Sequence, residues 1–453
     1  MSASKAGVSP SPAKPSPGMA LLSNKEKYSY VSGEIASNVT WNMIAGFLLF
    51  YYSDVALLPV AALGTLMLVT RVLDALFDPA VGLLVDRTQT RMGKARPYIF
   101  WSALPFGVLT VITFSVPEFL TPDQKVVFAY ITFTLLGLLY SLLYIPYSAM
   151  LPMMTRHPAE KLQLGSYRSM ATSIASIFVY GLTMPLVLEI GGDDKQWGFT
   201  VTSAIMAGVT TILFFVVVAN CRERIGHEGP VVHVPVLRSL TEVARNPVWR
   251  IVFAFALIIF IRIGVLVSSI AFFAKDILEK PSMMSVLLPL LSVAILVGGF
   301  LASHLFRFVT KRKGNIIAIL LTLVPICFMP LAESRPEIFL PLFVLINISG
   351  GIQAATCFIL LADSVECHES RFGNRAEGVL VSSVSFGMKV GMAIGAAITA
   401  YTLGWFGYDP AQSTATANTA LSWLFYGSPF VSGLCLLVCI AFLKEPDPRA
   451  SAA

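Results

Sequence analysis

Arg71, Asp74 and Asp78 interrupt an otherwise apolar segment at offsets of three and four. That spacing stacks the three side chains on one face of a helix. Ionisable groups inside membrane spans are expensive and mark ion or substrate paths. Two inward carboxylates can supply oxygen ligands to Na⁺ or take up a proton. Arg71 can neutralise them when no cation is bound. The competing interpretation is a satisfied salt-bridge cluster that moves no ion.

Other polar groups need partners of the same kind. Lys389 lies among Ser, Gly and Ala residues, which let helices approach closely. It needs a carboxylate, and Asp74 or Asp78 would serve. Arg262 lies about twelve residues past Arg250, close to mid-membrane at a rise of 1.5 Å per residue. It either pairs with Glu34 or another acid across the bundle, or meets an anionic substrate. Glu34, Asn38, Thr40, Trp41 and Asn42 make the first span unusually polar, as expected of a helix that lines a cavity. Asp363 and Glu366 end the tenth span beside His368, Glu369, Arg371 and Arg375, where an ionic latch between domains is favoured over ligand binding.

Lipid must be the solvent for the elements that position these groups. Of 453 residues, 56% are hydrophobic and 13% charged, against about 25% charged in soluble domains. Mean hydropathy is +0.74. Apolar windows of bilayer length fall near 29–53, 58–85, 97–116, 124–153, 165–190, 197–220, 249–274, 283–306, 313–333, 336–365, 379–406 and 417–443. The expected fold is therefore all-α, with twelve transmembrane helices. The polar stretch Cys221 to Val248 divides it into bundles over 25–220 and 249–444, as in major facilitator transporters. Residues 1–24 read as a disordered cytoplasmic tail without a signal-peptide core, and 445–453 as a second tail.

Loop charges agree with that count. Alternate loops carry Arg87, Arg91, Lys94 and Arg96; Arg156 and Lys161; Arg222, Arg224, Arg238 and Arg245; Lys311, Arg312 and Lys313; Arg371 and Arg375. The opposite loops are poor in such residues, which places both termini in the cytoplasm. The net charge of +6 thus reflects topology and implies no nucleic-acid partner. Six cysteines form no metal or disulfide pattern. No embedded nucleophile–base set or phosphate loop suggests an enzyme.

Gly82-Leu-Leu-Val-Asp86-Arg87 followed by Arg91-Met-Gly93-Lys94-Ala-Arg96-Pro97 resembles the signature loop of the major facilitator superfamily. The resemblance implies a gating role for Asp86, Arg87, Arg91 and Arg96. Arg71-Val-Leu-Asp74-Ala-Leu-Phe77-Asp78-Pro79 narrows it, together with Tyr51-Tyr52-Ser53-Asp54-Val55, Ile145-Pro146-Tyr147 and Ala362-Asp363-Ser-Val-Glu366. With these motifs the chain is similar to the glycoside–pentoside–hexuronide:cation symporters, the melibiose carrier family. That likeness implies a cation at Asp74 and Asp78 with Ser141 beside it, a cation-selectivity role for Lys389, and a sugar contact at Arg168. Asn38 and Tyr144 stand where the melibiose carrier has sugar-gripping aspartates, Ser148 replaces a stacking tryptophan, and Phe77 an asparagine.

Losing two carboxylates while keeping Arg168, Arg262 and Lys389 points to a uronide or another polar, anionic glycoside as substrate. The substrate set is then Asn38, Tyr144, Ser148, Arg168, Arg262 and Lys389. The chain is expected to be a monomeric inner-membrane symporter, surrounded by lipid, with no cofactor beyond co-transported Na⁺ or H⁺. Related lysophospholipid transporters share the acidic motif and the segment Pro146 to Ala149. They offer an alternative, an amphipathic substrate in an apolar groove open to lipid. A non-transporting scaffold would have no use for buried carboxylates.

Overall fold

The computed structural model describes residues 21–155, 157–224, 236–372, 377–412 and 414–442. Among them the chain is helical, without a strand, and every expected apolar window is occupied by helix. The first six major helices are α1 (Asn24–Met43), α2 (Val60–Arg87), α3 (Arg96–Thr113), α4 (Pro122–Met154), α5 (Pro158–Gly191) and α6 (Lys195–Asn220). After α7 (Val236–Arg245) come α8 (Pro247–Phe272), α9 (Met284–Phe308), α10 (Lys311–Phe328), α11 (Pro336–Phe372), α12 (Glu377–Trp405), α13 (Ala415–Ser422) and α14 (Ser428–Ala441). Wider π turns extend α1 over Ile44–Leu48 and Tyr51–Val55, extend α8 over Phe273–Ile277, and join α13 to α14.

Local chemistry explains the boundaries. Ser23 and Thr121 form reciprocal capping boxes with Glu26 and Gln124, each cap contributing about 1 kcal/mol. Asn246 accepts from Val248 N–H and Trp249 N–H to start α8. Ten described segments are long and apolar enough to cross a membrane. The other two expected spans are more polar: α1 carries Glu34, Asn38 and Asn42, and the 18 residues of α3 include Arg96, Pro97 and Pro105.

The chain wears its apolar side chains outward. Leu76, Phe178, Ile212, Phe300 and Phe442 are exposed, whereas Thr40, Thr110, Ser203, Thr210 and Asn347 are buried. Lipid rewards that inversion, because buried hydroxyls and amides find partners between helices. Thr40 Oγ1 lies 2.9 Å from Thr210 Oγ1, and Ser268 Oγ lies 2.8 Å from Thr399 Oγ1.

Contacts run mainly within α1–α6 and within α8–α14. The main crossings are α2 on α12, α5 on α9, and α8 on the Ile44–Leu48 turn. Three expectations are revised. Order reaches into the expected tail, where Leu22 is buried and its N–H donates to Glu160 Oε1 at 2.9 Å. Burial opposes the Glu160 charge, but Thr155, Leu22 and Lys27 outweigh it and hold the carboxyl below its ordinary pKa. The stretch 221–248 contains α7, although 225–235 lie outside the described residues. Asp363 and Glu366 do not end their helix, because α11 runs on through polar residues to Phe372.

Candidate substrate and cation sites

Asp74 and Asp78 each meet a cation, from different elements. Arg71 Nη1 donates to Asp74 Oδ2 at 3.2 Å. Lys389 Nζ, reaching from α12, donates to Asp78 Oδ2 at 2.5 Å, and Ser141 Oγ of α4 donates to Asp78 Oδ1 at 2.6 Å. Two carboxylates thus face two basic groups, and the cluster is electrically balanced. The Lys389 side chain is 44% exposed and that of Asp78 22%, so this pair faces open space. Asp74 Oδ1 is buried against Gly137 of α4 without a hydrogen-bond partner among the described residues.

A Cβ at position 137 would overlap the Asp74 carboxylate and force it to shift. Overpacking costs 1–3 kcal/mol, so Gly137→Ala is expected to lower cation-driven uptake by about tenfold or more. Radiolabelled sugar uptake at matched expression checks this. Unchanged uptake would mean that Asp74 need not sit where it does.

A second polar cluster lies on α1, α4 and α5. Arg168 Nε donates to Glu34 Oε2 at 2.6 Å, and its Nη atoms reach Tyr30 Oη (3.3 Å), Tyr144 Oη (3.2 Å) and Ser148 Oγ (3.4 Å). Asn38 Nδ2 donates to Glu34 Oε1 at 3.2 Å, and Thr172 Oγ1 does so at the same distance. Asn38, Tyr144, Ser148 and Arg168 therefore converge. The sequence reading missed Glu34 as their hub, although its i,i+4 spacing from Asn38 placed both on one face. A mainly apolar space of about 610 Å³, edged by the hydroxyls of Thr172, Ser173 and Ser292, opens beside this cluster between α5, α9 and α11.

An aromatic ladder joins the two clusters. Tyr144 stacks on Tyr140 with centroids 5.3 Å apart, Tyr140 on Trp41 at 5.2 Å, and the Arg71 guanidinium covers Trp41 at 4.1 Å.

Comparison with known proteins meets this geometry. Residues 29–445 match the family described as MFS/sugar transport protein. The chain belongs to that family. It is a multi-pass membrane transporter and not an enzyme. The candidate glycoside/cation symporter YagG of Escherichia coli (strain K12) is 32% identical, over 96% of this chain and 95% of that protein. The isoprimeverose transporter of Lactiplantibacillus pentosus is 31% identical over 92% and 88%. A glucuronide carrier protein homolog of Escherichia coli (strain K12) is 31% identical over 85% of each. The inward-facing structure of a bacterial homologue of the lysosomal transporter Spinster superposes with TM-score 0.67 at 13% identity, covering 92% and 94% of the two chains. A D-xylose–proton symporter gives 0.61 at 14% identity, over 91% and 96%.

The remaining candidates take varied positions in this sugar-transport family member. Gly93 adopts φ 108° against Glu223, whose carboxylate accepts from Lys94, Ala95 and Arg96 N–H at 2.6–3.1 Å. Arg96 also donates to Val218 O, while Arg87 and Arg91 are exposed. The Asp86 side chain, Arg156 and Arg375 lie outside the described residues. Asp363 accepts from Lys311 Nζ at 2.6 Å, so here it joins α11 to α10 and, among the described residues, makes no bridge to α1–α6. Glu366 is exposed.

Arg262 is 1% exposed and packs against Gly350 of α11, away from Glu34 and Arg168. It lines an apolar groove of about 410 Å³ between α8, α12 and the α13–α14 junction, with Ile258, Trp423 and Val431.

Proposed function

We propose that the chain is a cation-coupled symporter of a neutral sugar or glycoside. It alternates access in an inner membrane with both termini cytoplasmic, as a monomer. The observation that carries this is Lys389 seated on Asp78 across the α2–α12 crossing. A tethered ammonium there stands in for the transported ion and neutralises the site while the carrier is empty. An ion that takes Asp78 frees Lys389, loosens α12 from α2, and so biases the conformational equilibrium. Coupling follows because each ligand then favours one state.

Charge bookkeeping favours a neutral substrate. The uronide expectation relied on Arg168, Arg262 and Lys389 as free cations. Arg168 is matched by Glu34, Lys389 by Asp78, and Arg262 faces another groove. What remains around Glu34 is a set of hydroxyls, an amide and one balanced ion pair, suited to a polyol. The apolar groove beside Arg262 shares none of these residues.

Asp74, Asp78 and Ser141 supply five oxygens, of which Arg71, Lys389 and Ser141 already engage three on the two carboxylates, and apolar Phe77 lies between the two carboxylates in sequence. A hard metal cation takes about six or more oxygen ligands, whereas a proton needs one. The ion is therefore read as H⁺. In proteoliposomes, an inward proton gradient without Na⁺ is expected to drive accumulation of a neutral β-glycoside. Accumulation only with a Na⁺ gradient would overturn the ion assignment. No accumulation of any neutral glycoside under either gradient would overturn the function.

A further inference from the structure

Two stretches far apart in the chain end their helices in the same unusual way. Phe50-Tyr51-Tyr52-Ser53-Asp54-Val55-Ala56-Leu57-Leu58-Pro59 and Phe272-Phe273-Ala274-Lys275-Asp276-Ile277-Leu278-Glu279-Lys280-Pro281 share Phe, Asp and Pro at equivalent places. Each forms a π turn, over Tyr51–Val55 and Phe273–Ile277. Ala56 N–H donates to Tyr51 O and Leu58 N–H to Tyr52 O, both at 2.8 Å. Leu278 N–H and Lys280 N–H repeat the pattern to Phe273 O and Ala274 O at 3.0 and 2.9 Å. Leu57 (φ 58°) and Glu279 (φ 51°) occupy the left-handed region at the same step. Non-glycine residues seldom do so, and these two are the described positive-φ residues other than glycine.

The two ends also touch, at the side of the bundle opposite Ser23 and Glu223. Phe50 meets Phe272 edge-on with centroids 5.8 Å apart, and Phe272 meets Tyr408 at 5.3 Å. Tyr408 Oη lies 3.0 Å from both Asp54 Oδ1 and Asp276 Oδ2. Lys275 Nζ donates to Asp54 Oδ1 and, at 3.1 Å, to Pro410 O, and lies 3.9 Å from Asp276 Oδ1. The Asp54 and Asp276 side chains are 4% and 8% exposed. Two buried carboxylates so close together repel unless a cation sits with them.

We propose that these helix ends, which occupy equivalent places in the two repeated halves, together gate the extracytoplasmic mouth of the pathway, with Lys275 as the charge that holds it shut. The proposal rests on the transport reading for its direction. Ser53 occupies in the first copy the place Lys275 holds in the second. The shared Asp supplies the acid on each side, and Tyr408 ties both to the segment after α12.

The test reads gate opening and needs no substrate, so it stands apart from the choice of sugar or ion. Leu49, buried one residue before Phe50, lines a small cavity with Trp41 and Arg71. Leu49→Cys is introduced with Cys327, an exposed thiol towards the same end of the bundle, changed to Ser. A membrane-impermeant maleimide is applied to intact cells and, separately, to inside-out vesicles. Slow labelling from outside is expected in this background, with faster labelling in the vesicles. Lys275→Gln should raise the outside rate about tenfold or more, as expected when a buried charge pair loses one partner. Lys275→Arg should keep it slow. Ser53→Lys combined with Lys275→Ser should restore slow labelling by moving the charge to the equivalent position. An outside rate unchanged by Lys275→Gln would overturn the gate. Failure of the relocated lysine where Lys275→Arg succeeds would overturn the equivalence of the two ends as sites for the locking charge. The opposite sidedness in the background protein would overturn the assumed orientation.

Discussion

Asp78→Asn is expected to abolish uphill accumulation of sugar, bringing the inside-to-outside ratio to about 1. Each tenfold of accumulation needs about 1.4 kcal/mol from the coupled ion, and an amide neither takes up a proton nor replaces a carboxylate ligand. The substitution also strands Lys389, whose partner Asp78 is. At 44% exposure the lysine can turn to water, so the stability loss should stay below the 3–5 kcal/mol of a fully buried orphan. Asp78→Asn with Lys389→Gln removes both charges and should restore the melting temperature without restoring accumulation. Uptake into energised vesicles, beside thermal unfolding in detergent, separates the two effects. Concentrative uptake by Asp78→Asn would end the cation-site assignment.

Glu34→Gln is expected to change what the carrier accepts. Its carboxylate lies 2.6 Å from Arg168 Nε and also holds Asn38 and Thr172. Losing the charge frees Arg168, whose side chain is only 20% exposed, to attract an anion. Opposite charges at 4 Å interact by about 4 kcal/mol near a protein surface. Part of this is spent on desolvation, so the preference for a uronide over its neutral glycoside should rise about tenfold to a hundredfold. Competition of both sugars against one radiolabelled substrate measures the ratio. A ratio equal to that of the parent would show that Glu34 does not set substrate charge.

Hydropathy and loop charge made the helical architecture legible before any coordinates, because lipid leaves a chain few other options. The pairing of Lys389 with a helix-2 carboxylate was legible as well, since a mid-membrane lysine must find an acid. Arg168 with Glu34 was not. Its partner lies on another helix, and no local pattern links them. Arg262 was misleading for a related reason. Two residues along α8 rotate about 200°, so Gly264 faces Met392 and Gly395 of α12 while Arg262 turns to Gly350 of α11. Periodicity reports that two faces exist without saying which one points to the pathway. Asp363 was misplaced because an apolar run ends sooner than its helix, whose last turns α11 builds from polar residues. The π turns have no propensity signature at all. Only the repeated Phe, Asp and Pro marked them, and one copy alone would have carried no meaning.

The ladder from Tyr144 through Tyr140 and Trp41 to Arg71 lies between the groups proposed to recognise sugar and those proposed to hold the ion. Tyr144, Ser148 and Arg168 sit at one end of it, on α4 and α5. Asp74 and Asp78 sit at the other, on α2. A lineage carrying this arrangement can exchange residues around the sugar and acquire a new diet while its energy supply stays intact. Substitutions at Trp41 are the exception, since that one ring links Tyr140 to Arg71 and so joins the two halves of the ladder.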